Sequence, residues 1–133
     1  MKTCDTMQKF IEKLATKHNL DLTVVGSHLK LENEPYEPLC IETIGKHLVS
    51  VAHYYEQNGD LVPDPDIVFF TGYGPWVPIS MQQWSGLTTT SWLAEDGEEI
   101  EKFLPRKQMD IASFCRIWAR NLKEQGFLNA KEV

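Results

Sequence analysis

Seven residues able to do chemistry crowd one stretch of the chain: His53, Tyr55, Glu56, Asn58, Asp60, Asp64 and Asp66. His53 has the ordinary pKa nearest neutrality, so in a cleft it suits a general base, and on a buried face it is a hydrogen-bonded core residue. Asp60, Asp64 and Asp66 offer oxygen ligands of the kind Mg²⁺ or Ca²⁺ takes. Their D-x-x-x-D-x-D spacing lacks the remaining positions of a helix–loop–helix calcium site, and Pro65 stiffens it. The same residues also spell turns. Asn58-Gly59 tolerates positive φ at both positions, and Asp64-Pro65-Asp66 lets a carboxylate bond its own downstream backbone. Shaping a long hairpin connection is therefore the simpler role for EQNGDLVPDPD, with a site centred on His53 to Asp66 as the alternative. Proximity in sequence does not make His53, Glu56 and Asp60 a catalytic set.

The elements that must position these residues are legible on either side. Leu48 to Tyr55 alternates, with Val49, Val51 and His53 on one face and Ser50, Ala52 and Tyr54 on the other. Ile67 to Thr71 and Leu39 to Thr43 have the β-branched and aromatic content of strands. Leu20 to Val24 and Leu29 to Glu32 read as a further hairpin about Gly26-Ser27, and NEPYEP reads as a loop or extended edge. At the N-terminus, Met7, Phe10, Ile11, Leu14 and His18 fall at helical spacing over about Asp5 to His18, with Thr3 or Asp5 as cap and Asn19 as stop. At the C-terminus, Ile111, Phe114, Cys115, Trp118 and Leu122 form an apolar stripe over about Lys107 to Gln125, ended by Gly126. Residues 80–104 are the least readable: Trp84 and Trp92 with a threonine run suit an irregular or strand-like extension, and the acidic Glu95 to Glu101 suits a solvated loop or helix start. The expectation is one α+β domain over residues 1–133, an antiparallel sheet of about five strands (a β-meander) flanked by N- and C-terminal helices.

Bulk properties bound the function. A chain of 133 residues can bury a core unaided, and its formal charge of −6 disfavours nonspecific phosphate-backbone binding. The same charge permits a basic partner protein. No apolar run nears the roughly 20 residues of a membrane helix, and the first residues lack a signal peptide's apolar stretch. Cys4, Cys40 and Cys115 are widely spaced with no CxxC pair, which suits reduced thiols in the cytoplasm, and the apolar neighbours of Cys40 and Cys115 suit core packing. There is no phosphate-binding loop, no G-x-S-x-G elbow and no H-x-x-x-H pair, so no cofactor and no metal centre are expected. Two surfaces are candidates for binding. Trp76, Trp84 and Trp92, if exposed, make a stacking or protein-binding patch. Arg116 and Arg120, with Lys123, share one side of the last helix and are placed to meet phosphate or an acidic partner.

Three runs carry a family resemblance: PLCIE at Pro38–Glu42, SVAHYYEQNGDL at Ser50–Leu61 and PDPDIVF at Pro63–Phe69, with W-x-P at Trp76–Pro78. Together they resemble a small domain-of-unknown-function family of bacterial genomes and mobile elements. The resemblance implies an accessory role in mobile-element biology and supplies no catalytic residues. The leading expectation is thus a small non-enzymatic protein that binds another protein or itself. The alternatives are a metal-binding or hydrolytic enzyme at the His53–Asp66 hairpin, and nucleic-acid contact through the basic side of the last helix.

Overall fold

Apolar residues recur at every second position along four successive segments: Leu29 and Leu31, Leu39 and Ile41, Val49 and Val51, Ile67 and Phe69. All eight are buried. A period of two places them on one side of a sheet, and the sheet must cover that side. In the computed structural model, which describes residues 1–133, it does so with two helices.

The elements run α1 (Asp5–Lys17), β1 (His28–Asn33), β2 (Tyr36–Gly45), β3 (Leu48–Gln57), β4 (Asp60–Phe70), β5 (Val77–Gln83), β6 (Gly86–Thr89), β7 (Ser91–Leu93), β8 (Ile100–Phe103), α2 (Pro105–Glu124), a short 3-10 turn at Phe127–Asn129, and β9 (Lys131–Glu132). Strands β6-β5-β4-β3-β2-β1-β9 form one seven-stranded antiparallel sheet, and β7-β8 form a separate hairpin. Neighbours in sequence are neighbours in the sheet from β1 to β6, as short connections require. The expected α+β architecture is present, with more strands than the five anticipated.

Both helices lie on the same face. Met7, Phe10, Ile11 and Leu14 of α1 and Ile111, Cys115, Trp118 and Leu122 of α2 join the inward residues of β1 to β4 in one core. Asn19, at φ 56°, ends α1 in the left-handed conformation, and Gly126, at φ 89°, ends α2. Phe127 then folds back into the core, fully buried. The expected side-chain cap of α1 is not made: Cys4 occupies the cap position, and Thr3 instead bonds Asp5.

The opposite face is covered at one corner only. Phe70, Val77 and Ile79, with Leu48 and Val68, pack against Leu93 and Ile100 of the β7-β8 hairpin. The rest of that face, across β1 to β4, has no layer over it.

Three segments depart from the expected pattern. No strand precedes Gly26, because the Asp21 carboxylate accepts from the backbone and hydroxyl of Thr23 and closes a local turn. Glu34-Pro35 is a tight turn, and β2 starts at once with Tyr36 opposite Asn33. Residues 80–89 are a β-hairpin, β5-β6, turning at Trp84-Ser85.

Candidate functional site

Asn58 and Gly59, at φ 54° and 86°, make a two-residue turn between β3 and β4. Positive φ at both central positions is what the right-handed twist of a tight hairpin demands. The chain from Asp60 onward is therefore strand and not the polar connection expected from its sequence. Gln57 pairs with Asp60, Tyr55 with Val62 and Tyr54 with Pro63. One irregularity interrupts the ladder: Ala52 pairs with Asp66 and Tyr54 with Pro63, so Asp64 and Pro65 together lie opposite His53. Such a bulge shifts by one which β4 residues share a face. Asp60 falls in register with Gln57 on the helix-covered side of the sheet, and Asp66 with Ala52 on the open side. The three aspartates do not converge, and no three His, Cys, Asp or Glu side chains are grouped to hold a metal ion.

His53 points into the core side. Its Nδ1–H donates to the Pro38 carbonyl at 3.0 Å. The ring packs edge-on to Trp118, with centroids 5.4 Å apart, and against Phe127 at 5.8 Å. Burial pushes its pKa below the ordinary histidine value, and the bond to Pro38 opposes that shift only in part. This is the arrangement of a histidine held by packing and one backbone bond. Glu56, Asn58 and Asp60 are exposed at the hairpin tip, and Tyr55 and Asp64 are partly covered. The seven residues singled out from sequence thus spread over two faces and a turn.

Asp66 is the one that sits in a site. A groove of about 320 Å³ on the open face is lined by His28, Lys30, Cys40, Glu42, Ser50, Tyr54 and Asp66, with Ile44 at its side. The Ser50 hydroxyl donates to Asp66 Oδ1 at 2.6 Å, a cross-strand bond from β3 to β4. Burial raises the Asp66 pKa, the Ser50 bond opposes this, and Glu42 adds to the rise. Burial also raises the Tyr54 phenol, with Asp66, Cys40 and Glu42 contributing. Cys40 is raised by burial first, while Lys30 pulls it down. Desolvation and like charge therefore act together on one patch. Chemically the groove offers three acceptors, the second oxygen of Asp66, the Glu42 carboxylate and the Tyr54 oxygen, beside one cation, Lys30. Ser50, Tyr54, Cys40 and Glu42 escaped the sequence reading. The alternation put Ser50 and Tyr54 on one face, but the bulge that brings Asp66 to them leaves no mark in sequence.

The other candidates divide. Trp76 is 3% exposed, packs on Phe69 at 5.3 Å and belongs to the core, so it is no part of a binding surface. Trp84 is 74% exposed at the β5-β6 turn, and Trp92 is partly exposed with Lys102 over its ring. They do not form one platform with Trp76. Arg120 and Lys123 line a groove of about 440 Å³ between α1 and α2, opposite Lys9 and Lys13. Arg116 lies instead in an adjoining hollow with Lys2 and Cys4. Cys4 and Cys115 are both free and buried, and burial pushes the Cys115 thiol up. Neither α1 nor α2 is long and apolar enough to cross a membrane.

A family described as a domain of unknown function, DUF6908, matches residues 5–128. The chain belongs to this family. The match runs from the first residue of α1 to the 3-10 turn, so the DUF6908 region holds both helices, β1 to β8 and the groove between the helices. No curated protein and no solved structure matches the chain.

Proposed function

We propose that this DUF6908 chain is a non-enzymatic recognition module, acting as one unit, whose open sheet face accepts a basic side chain of a protein partner. The observation that carries the proposal is Asp66. Its carboxylate is half-buried, holds one hydroxyl bond from Ser50, and turns its remaining acceptor capacity into a groove flanked by Glu42 and Tyr54. A charge-assisted bond from a guanidinium or ammonium group would complete it. At about 320 Å³ the groove suits one long side chain at the small end of ligand pockets. The surroundings favour the same ligand. Outside the two helices the chain carries fifteen Asp and Glu against five Lys and Arg, a net charge of −10. Such a field steers basic partners toward it and repels nucleic acid. The hydrolytic alternative lacks support, because His53 faces away from Asp66 and is spent on Pro38. A cytoplasmic accessory role on mobile elements, which the sequence resemblance implies, is compatible with such a module.

The test is a ¹⁵N-resolved titration with short peptides carrying a single Arg or Lys, alongside uncharged controls. Shifts confined to residues 40–42, 50–54 and 66, and absent in Asp66→Asn, support the proposal. Equal shifts in Asp66→Asn, or none with any basic peptide, refute it.

A further inference from the structure

The charge of this chain is divided by layer. The two helices hold eight Lys and Arg against four Asp and Glu, a net +4, while the other hundred residues hold −10. Within the helix layer, Lys9 and Lys13 stand four residues apart on α1, and Arg120 and Lys123 three apart on α2. Like charges at these spacings share one side of a helix and repel. All four line the groove between α1 and α2, and none makes an ion pair. Asp5 and Thr6 lie in the same groove, and its remaining walls are apolar, from Phe10, Ala119 and Leu128. An apolar wall suits a peptide segment better than a phosphate backbone.

The complementary feature is on the same chain. The turn between β7 and β8 carries Glu95, Asp96, Glu98 and Glu99, followed by Glu101 on β8, and all five are exposed. Backbone bonds from Ala94 to Glu99 and from Gly97 to Ala94 hold the turn in shape. Glu98 is paired with Lys46 and His47, and the Asp96 carboxylate caps the Glu98 amide. Glu95, Glu99 and Glu101 have no cation of their own.

We infer that the groove between α1 and α2 receives the acidic β7-β8 turn of a second copy of this chain. The contact joins two different surfaces, so it is head-to-tail and builds open chains or a ring rather than a closed two-fold dimer. It uses none of the groups around Asp66, so it stands or falls separately from the open-face proposal.

Sedimentation velocity on the full chain tests it, over a concentration series to about 100 μM, in about 20 mM and about 0.5 M salt. The expected result is a mass that rises with concentration at low salt and falls to the monomer at high salt. Lys13→Ala/Arg120→Ala and Glu99→Gln/Glu101→Gln each reduce association about tenfold or more. Mixed together, the two variants form a 1:1 pair and nothing larger, since one keeps the turn and the other the groove. All four positions are exposed, and circular dichroism of each variant confirms folding. Asp66→Asn associates like the wild type. A monomer throughout at low salt, association that survives in Lys13→Ala/Arg120→Ala, or a mixture that stays monomeric overturns the inference. Binding of a labelled duplex oligonucleotide that depends on Lys13 and Arg120, without self-association, also overturns it and assigns the groove to nucleic acid.

Discussion

The two faces of the central sheet each hold a half-buried titratable side chain, and they treat it in opposite ways. On the covered face, His53 is enclosed by Trp118 and Phe127 and donates to Pro38. Its neutral form is the one the fold wants, and its pKa is lowered to match. On the open face, Asp66 has the Ser50 hydroxyl and little else, and its pKa is raised. His53 contributes to folding through its neutral ring. Asp66 works against folding wherever it is ionised, because part of its hydration is lost and only one bond replaces it. A polar group bonded to backbone and enclosed by aromatic rings is structural. One left incomplete beside a groove is available to a ligand.

This comparison is open to attack by mutation. The largest effect belongs to the covered face. Phe69→Ala removes a fully buried ring packed on Trp76 and should cost about 3–5 kcal/mol by chemical denaturation. A loss below about 1 kcal/mol would mean that this face is not the core.

His53→Ala comes next, at about 1–3 kcal/mol, through lost ring contacts and an orphaned Pro38 carbonyl. The sign of its pH dependence follows from the lowered pKa. Between the folded value and the unfolded value of about 6.5, the unfolded chain binds the extra proton, so stability rises with pH and is lost on acidification through that window. The wild type should show this slope and His53→Ala should lack it. A stability profile identical in both proteins contradicts a buried neutral imidazole.

Smaller is Gly59→Ala, which keeps the hairpin but forces an L side chain to φ 86°. No atom lies within 4 Å of the added Cβ, so only backbone strain is at issue, about 1 kcal/mol. An unchanged midpoint in urea would show that the turn is not a two-residue type, and the register that separates Asp60 from Asp66 would fall with it.

Much of this was legible in the residues. Helical spacing of large apolar side chains located both helices to within two residues, and Asn58-Gly59 announced its turn. The misreadings cluster where local chemistry and tertiary pairing disagree. Asp60 to Asp66 holds two prolines and three aspartates, all poor strand formers. It is nonetheless a strand. Pro65 lies in a bulge, where a central strand tolerates a residue without an N–H, and the rest is held by pairing with β3. Leu20 to Val24 alternates like a strand, yet Asp21 folds it locally. Asp66 was visible as a candidate, but its partners were not. Ser50 is sixteen residues away and Glu42 and Cys40 more than twenty, and the face each occupies depends on strand register and the bulge.

On the proposed reading, Asp66 serves recognition at a cost to folding. Equilibrium unfolding of wild type and Asp66→Asn across pH is the decisive test. A raised folded pKa means that the penalty exists where the carboxylate is ionised and vanishes below the unfolded value of about 3.9. Asp66→Asn should therefore be the more stable protein at neutral pH, by up to about 0.5 kcal/mol after allowance for its partial exposure. The gap should close as the pH falls toward 4. If Asp66→Asn is less stable at neutral pH, and the deficit shrinks in acid, the ionised carboxylate stabilises the fold and the account is wrong.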